Sequence, residues 1–403
     1  MRLKVLLSEG SSLSARQTIT ALGMAGYDVG VCDPDPMCIG RFSRFVSRFF
    51  RCPNFNDHPL EYVNFIDGIY RTHNYQVMIP VHEQAYLFAR YRQLFRANVA
   101  LADFASFQQV QGKISFARTL QKLDIPQPEY RVLNDLAQIS EIEKYPFYLK
   151  TNYGTAGQGV WRIENLEKGM KVRKDLGSLD LSGQNQLMVQ HEVRGDLCQV
   201  QAVFDRGNLV ACHCTQTRGE SIGGGHAART GIDHPQVRQY VKKLGAALQW
   251  SGPIALDYIY DTQRDDPSFL EANPRLVEPM NACLSGVNFA DLTVRVALGE
   301  RIETMTGRTG VRSHSLMAIL MAKANSGCSR WTLVKTLAQA AAGRGVYSDS
   351  REDLTPVGRD WLALIPSLFV LIRLLIDPRK ASTISKKTVN NYSLSFKTIE
   401  TME

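Results

Sequence analysis

The stretch Ser268-Phe269-Leu270-Glu271-Ala272-Asn273-Pro274-Arg275 decides the reading of this chain. Its first six residues predict a β-strand. Ile254-Ala255-Leu256-Asp257-Tyr258-Ile259-Tyr260 predicts a partner strand, with a turn over 261–267 between them. If Tyr260 pairs with Ser268, antiparallel register sets Asp257 opposite Glu271. Strand period two then puts Asn273 on the same face. Two like charges opposed across a sheet repel. A divalent cation removes the conflict, and Asp257, Glu271 and Asn273 offer the hard oxygen donors that suit magnesium or manganese. Arg275 adds positive charge beside such a site. The plainer alternative is a pair of surface carboxylates on a solvated sheet face.

Upstream, Pro146-Phe147-Tyr148-Leu149-Lys150 predicts a strand that ends in lysine. It runs into Gly154-Thr155-Ala156-Gly157-Gln158-Gly159-Val160, a glycine-rich loop. Glycines let backbone amides approach an anion closely, and a lysine at the strand end neutralises charge. No Gly-Lys-Ser/Thr opens a helix here, so this is not a P-loop. A plain turn accounts for the glycines equally well.

The first 110 residues alternate strand and helix. Strands are predicted over 4–7, 28–32 and 76–80. Ser11 or Ser12 can cap a helix whose apolar face holds Ala15, Ile19 and Leu22. Another helix is predicted through Ala85, Leu87, Phe88, Tyr91 and Leu94. That alternation predicts a parallel α/β sheet. The first strand ends in Ser8-Glu9-Gly10, which lacks a dinucleotide fingerprint. Over 41–51, Arg41, Arg44, Arg48 and Arg51 lie among Phe42, Phe45, Phe49 and Phe50. We read this as an amphipathic helix with a solvated arginine face rather than a nucleic-acid patch. A helix follows Gly112-Lys113, carries Phe116, Leu120 and Leu123, and stops before Pro126. Another starts at Asp233-His234-Pro235, with Val237, Tyr240, Val241, Leu244 and Leu248 on its core face. Helices then run to about residue 376, and a polar tail is expected after them.

Composition narrows the class. The chain has 403 residues, 44% hydrophobic and 21% charged, which excludes a disordered, collagenous or disulfide-scaffold protein. Lysine plus arginine is 47 against 39 acidic residues, a net charge of +8. That permits anionic partners without requiring nucleic acid. The eight cysteines form no Cys-x-x-Cys pair, and the start Met1-Arg2-Leu3-Lys4-Val5-Leu6-Leu7 has no signal-peptide core, so a cytoplasmic protein is expected. Cys212-His213-Cys214 reads as a strand with small apolar thiols rather than a zinc site. No apolar run reaches the roughly 18 residues that span a bilayer.

Taken together, these pieces resemble the ATP-grasp superfamily, in its carbamoyl-phosphate-synthase-like carboxylate–amine ligase branch. The resemblance runs from the N-terminus to about residue 300. Leu270 to Arg275 looks like the family's Glu-x-Asn-Pro-Arg ending, and Gly252-Pro253-Ile254-Ala255-Leu256-Asp257 like the strand before it. Gly286-Val287-Asn288 and Leu298-Gly299 match the segments after it. Lys113 and Lys150 match the family's two nucleotide lysines, and Gly154, Gly157 and Gly159 its loop over the phosphates. Met188-Val189-Gln190-His191-Glu192-Val193 resembles the hinge that holds adenine. The chain departs from the family pattern at Gln190, where a glutamate is usual, and at Asp196, which follows Gly195 directly.

The resemblance implies a fold in three parts. These are an N-terminal parallel α/β domain over 1–110, an ATP-grasp unit of two α+β lobes over 111–305, and a C-terminal helical extension with a tail over 306–403. It implies that ATP binds through Lys113, Lys150, Gly154, Gly157, Gly159, Gln190, His191, Glu192, Val193 and Asp196. Magnesium or manganese would sit on Asp257, Glu271 and Asn273. Arg275, Lys150 and Arg229 would serve the chemistry, an ADP-forming ligation of a small carboxylate to an amine or related nucleophile. A bicarbonate-using carboxylase of biotin-carboxylase or purine-pathway type is one alternative, and a non-catalytic ATP-binding module is another. The polar stretch 215–231, with Arg218, Gly223, Gly224, Gly225, His226 and Arg229, falls where the family meets its acceptor. A mobile surface loop explains it as well. Glu83 resembles part of the family's N-terminal domain, though helix capping accounts for it too. Monomer and homo-oligomer both stay open. For the apolar segment 361–376 we favour a helix buried on the ATP-grasp body, with a peripheral membrane position of 361–387 as the alternative.

Overall fold

The structure is a computed structural model, and it describes residues 2–155, 157–177, 181, 186–394, 398, 399 and 402. Ala156, inside the glycine-rich loop, lies outside them. The N-terminal part comprises β1 (Lys4–Leu7), α1 (Leu13–Met24), β2 (Asp28–Asp33), β3 (Val46–Arg51), α2 (Pro59–Thr72), β4 (Val77–Ile79) and α3 (Gln84–Arg90). Its four strands are parallel in the order β3-β2-β1-β4. A parallel sheet is covered on both faces, and Val5, Leu6, Leu7, Val77 and Ile79 are accordingly fully buried. Ser12 caps α1, its hydroxyl accepting from the Ala15 amide at 2.9 Å.

The arginine–phenylalanine stretch is not a helix. After a short 3-10 turn over Ile39–Arg41 it becomes the edge strand β3, with Phe49 beside Val31 and Phe50 beside Cys32. Valine and adjacent phenylalanines favour a half-covered strand. The exposed arginines follow from the edge position, and Arg41 lies over the Phe49 ring at 5.0 Å.

Helices α4 (Phe104–Gln111) and α5 (Lys113–Lys122) lead into a small antiparallel lobe. It contains β5 (Tyr130–Leu133), β6 (Phe147–Thr151), β7 (Val160–Ile163), α6 (Leu166–Leu176) and β8 (Leu187–His191), with strand order β5-β8-β6-β7. Phe147, Leu149, Ile163, Leu187 and Val189 form its core. A larger sheet follows from β9 (Asp196–Asp205), β10 (Asn208–Glu220), β11 (His226–Ile232), α7 (Pro235–Ala247), β12 (Gly252–Asp261) and β13 (Asp266–Asn273). Helices α8 (Met280–Leu284) and α9 (Phe289–Ala297) and strands β14 (Met305–Thr306) and β15 (Arg312–His314) come next. The stretch 215–231 is thus mostly the β10–β11 strand pair and not a loop, closed by a turn over Ile222–Gly224. In α7, Val237, Val241, Leu244 and Leu248 are buried, and Tyr240 reaches the edge of the Phe269 ring.

Asp257 lies opposite Glu271, as the reading required, but Tyr260 pairs with Pro267 rather than with Ser268. A bulge between Asp257 and Tyr258 on one strand, at Leu270 on the other, absorbs the difference. It lets Leu270 and Glu271 both line the cleft while Phe269 turns into the core against Tyr258.

The C-terminal part contributes α10 (Leu316–Asn325), α11 (Arg330–Ala341), β16 (Ser350–Glu352), α12 (Leu364–Ile376) and α13 (Lys380–Asn390). It is mainly helical, but β15 and β16 extend the large sheet to β13-β12-β9-β10-β11-β15-β16, with β14 beside β10. Two expectations fail here. The segment after 376 is no loose polar tail. α13 packs on α10 and α12, and beyond it Tyr392 lies 4.3 Å ring to ring from His82. The signal was Ala381, Ile384, Thr388 and Val389, a sparse helical stripe that polar neighbours mask. Nor is α12 buried. Only one narrow side, with Leu374 fully covered, meets its neighbours. Trp361, Ile365, Leu368, Phe369, Ile372 and Ile376 are between 48% and 59% exposed. A helix apolar all round can bury only one side against a single layer. Among the described residues no helix is long and apolar enough to cross a membrane.

Candidate active site

The small lobe, the large sheet and the N-terminal part enclose a cleft of about 1340 Å³. From the small lobe, β6 carries Lys150 one residue before its end, and the buried ammonium donates to Gln190 Oε1 at 2.6 Å. A glutamine there leaves the lysine without a local counter-charge. Burial pushes its pKa down to about 8, with Glu271 opposing the shift. Lys113, at the start of α5, donates to the Gly154 carbonyl at 2.9 Å and stands 3.7 Å from Glu271 Oε2. The lysine that steadies the glycine-rich loop therefore also faces the carboxylate of the large sheet.

That loop needs its glycines. Gly157 has φ +74°, and a Cβ there would fall 2.7 Å from Gly223 Cα, in the turn between β10 and β11. The two lobes touch backbone to backbone at this point. Gly154 and Gly157 line the cleft, whereas Gly159 packs on Thr151 and does not.

Gln190, His191, Glu192, Val193 and Asp196 line the cleft along the strand end that joins the lobes. Glu192 is occupied from outside. Arg162 Nε donates to it at 2.7 Å and the Tyr148 hydroxyl at 3.2 Å, so its pKa is held down chiefly by Arg162.

On the large sheet, Asp257 accepts from Gln199 Nε2 at 2.8 Å and from Asn273 Nδ2 at 3.3 Å, and His226 Nε2 lies 3.1 Å away. Burial alone would raise its pKa, but the hydrogen bond and charge of His226, with Gln199, carry it below the usual carboxylate range. Thr217 holds the far nitrogen of that imidazole. With the Asn273 amide nitrogen turned to Asp257, its carbonyl oxygen is left for a ligand. Two carboxylates and one amide oxygen then share one face, a donor set that fits magnesium. Among the described residues no trio of His, Cys, Asp or Glu side chains is assembled as a metal cluster. In β10, Cys212 and Cys214 point to the side opposite His213, so those three cannot converge.

Arg275 is buried, and its Nε has no hydrogen-bond partner among the described residues. Burial lowers its pKa, and Glu83 and Glu271 are its largest opposing charges. Glu83 is not a helix cap through its side chain. It accepts the Leu394 amide, and burial raises its pKa. Arg229 requires correction as a cleft residue. Its guanidinium donates to Glu278 and to the His226 carbonyl, and only Glu278 of this group and His226 reach the cleft.

Sequence reasoning missed Gln199, and it named His226 without placing it beside Asp257. The two flank Asp257 from β9 and β11, and only the three-dimensional strand order reveals it. Glu9 accepts from the amides of Ser11 and Ser12 at 2.6 and 2.9 Å, and burial together with Asp33 pushes its pKa up to about 7. In sequence, Ser8-Glu9-Gly10 shows only the lack of a dinucleotide fingerprint.

No family model matches the chain. It is 23% identical over 211 residues to the C-terminal section of the carbamoyl phosphate synthase large chain of Methanopyrus kandleri. That match covers 49% of this chain and 39% of the relative, so the chain spans well under half of that protein. Among solved structures, it is similar to the biotin carboxylase domain of the Hydrogenobacter thermophilus 2-oxoglutarate carboxylase, solved with MgADP, ADP and bicarbonate. There the TM-score is 0.60 and the identity 15%, over 77% of this chain and 73% of that one. It is also similar to the N5-carboxyaminoimidazole synthetase of Staphylococcus aureus in complex with ADP, at TM-score 0.62 and 13% identity, over 77% and 82%. In fold the chain is similar to ATP-grasp enzymes, and in sequence it is distantly similar to the carbamoyl phosphate synthase large chain of the carboxylate–amine ligase branch.

Proposed function

We propose that the chain is an ATP-dependent, ADP-forming ligase that activates a small-molecule carboxylate and joins it to an amine or related nucleophile. The observation that carries this reading is the convergence of Lys113, Lys150, Asp257, Glu271, Asn273 and Arg275 on one cleft, from three separate parts of the chain. The adenine would lie along 190–193 and the ribose by Asp196. Lys150 and Lys113 would hold phosphates, and the glycine-rich loop would close over them. Magnesium or manganese on Asp257, Glu271 and Asn273 would neutralise phosphate charge.

In this reading a carboxylate oxygen of the substrate attacks the γ-phosphorus, and ADP leaves. Arg275, with no competing hydrogen bond at Nε, faces the charge that develops on the transferred group. The nucleophile's lone pair then attacks the acyl carbon, and phosphate departs with one former carboxylate oxygen. The chain's part is to orient reactants and neutralise charge, and no covalent protein nucleophile is required. Arg229 acts only by holding Glu278 at the cleft wall.

We divide the chain at about residues 110 and 305 and place it in the cytoplasm, with no nucleic-acid partner. Bicarbonate as the carboxylate is the second reading, favoured by the similarity to a domain solved with bicarbonate. The test is a screen for ADP release with carboxylates crossed against amines, followed by oxygen-18 labelling of the active carboxylate. One label should appear in the released phosphate. Label-free phosphate from an active enzyme would leave hydrolysis or kinase chemistry instead.

A further inference from the structure

Nucleotide and metal, placed as proposed above, leave part of the cleft lining without a role. At about 1340 Å³ the cleft exceeds the roughly 300–1,000 Å³ of ordinary small-molecule sites. Beyond Arg275 and Tyr392 it reaches the inner sides of α10, α12 and α13. Met317, Met321, Pro366, Val370 and Ile384 line it there beside the hydroxyls of Ser367, Ser385 and Thr388, and no lining residue of those helices is charged. Methionines adapt to flexible apolar ligands. We infer that this arm takes an aliphatic chain, so that the carboxylate brought to Arg275 belongs to an amphiphile. Each methylene buried would raise affinity roughly fourfold, a gain that a small polar acid cannot draw on.

This substrate class rests on the ligase reading, but its test does not. The full chain is titrated, without nucleotide, with dansyl-labelled undecanoic acid, whose emission rises in apolar surroundings. Saturable binding is expected, displaced by decanoate and not by acetate. Met321→Trp and Val370→Trp fill the arm and should each weaken it about tenfold, the worth of one to two methylenes. Phe369→Asp, on the outer side of α12, should not, and affinity for a non-hydrolysable ATP analogue should stay unchanged in all three. Failure of decanoate to displace the probe, or parental affinity in both filled-arm variants, overturns the inference. Because the probe needs neither ATP nor turnover, either outcome leaves the label experiment to judge the ligase reading separately.

The outer side of α12 carries a second inference. Its five exposed apolar residues recur at the spacing of one helix face, Trp361 is exposed in the turn before it, and on neighbouring α11 Trp331 is 75% exposed. From Arg359 to Asn391 there are six basic and two acidic residues. Both acids are engaged, Asp360 by Arg16 and Asp377 by Arg379, and of the bases Lys387 faces Asp35 at 3.8 Å. Arg373 lies over the Phe369 ring at 4.8 Å, at the border of the apolar face. A two-fold contact with a second copy would set these cations against one another. An anionic lipid surface instead satisfies both the apolar stripe and its basic border. The geometry points to α12, about 20 Å long, lying in the plane of such a surface.

Flotation of the full chain tests this, with vesicles of phosphatidylglycerol and phosphatidylcholine compared with phosphatidylcholine alone at about 0.15 M salt. The chain should float with the anionic vesicles only. The doubly substituted Ile365→Asp, Phe369→Asp chain should stay at the bottom while keeping its affinity for the ATP analogue. No flotation of the parent, equal flotation of the variant, or a solution dimer that the variant splits would each overturn the assignment.

Discussion

Replacing Lys150 by methionine should make the nucleotide-free protein more stable and leave it unable to hold ATP. The lysine is buried, and its pKa falls from 10.5 to about 8. At pH 7 the folded chain must carry a charge that burial disfavours. The difference of 2.5 units, at about 1.36 kcal/mol each, amounts to about 3 kcal/mol against folding. Methionine fills nearly the same volume without the charge. It strands Gln190 Oε1, which costs about 1 kcal/mol, so a net gain of about 2 kcal/mol is expected. The sign can be checked against pH. Between 8 and 10.5 the unfolded chain binds the proton that the folded chain has lost, so the parent's stability rises with pH in that window. The advantage of the variant should therefore shrink from pH 8 towards 10.5. Urea unfolding at pH 7 and pH 9.5, paired with calorimetric titration of a non-hydrolysable ATP analogue, reads both effects. A variant that is less stable at pH 7, or that binds the analogue as the parent does, would refute the argument.

Glu271→Gln should raise the magnesium requirement and slow ADP release by about a hundredfold, and lower the stability of the nucleotide-free chain, because buried Lys113, Lys150 and Arg275 lose a counter-charge that outweighs the repulsion relieved across β12 and β13. A magnesium titration of turnover checks the first claim and thermal unfolding the second. Asp360→Asn should cost about 3–5 kcal/mol, since it leaves buried Arg16, 1% exposed, without its charge partner. Arg16→Met with Asp360→Leu should recover most of that in urea unfolding. Gly157→Ala should weaken analogue binding about tenfold beyond what Gly224→Ala does. Both glycines have left-handed φ, which costs an alanine about 1–2 kcal/mol. Only at Gly157 does the new Cβ also meet backbone across the lobes.

What the sequence revealed depended on how local the physics was. The hairpin of β12 and β13 was legible because alternation and a polar turn mark it within twenty residues. The opposition of Asp257 and Glu271 followed, although the turn was placed one residue out. Nothing in the string marks Leu270 as the bulged residue, because a bulge reports how the next layer packs. The strand end near Lys150 and the turn after it were legible because glycine and lysine announce their backbone and charge roles wherever they occur. The 41–51 stretch misled because arginine and phenylalanine at mixed spacing fit helix and strand alike, and edge placement against β2 decided between them.

The part of the cleft where we place the acceptor was the least legible, and its makeup explains why. Its wall is assembled from Ser12 and Glu83 in the N-terminal part, His226 in β11, α10, α12, and Tyr392 near the C-terminus. No two of these lie in one local motif, so no periodicity couples them. Asp360 makes the point sharply. In sequence it is one carboxylate before an apolar run. In the fold it accepts from Arg16 at 2.7 Å and from the Arg44 amide at 2.9 Å, and this fixes the start of α12 against α1. That anchor lets α12 hold one side to the cleft and the other to solvent. A helix of such composition would otherwise turn to bury its larger face, at roughly 25 cal/mol per Å². The exposed face of α12 is thus maintained by a buried ion pair at its start, and the cost of keeping it exposed is the physical reason to look for a surface that covers it.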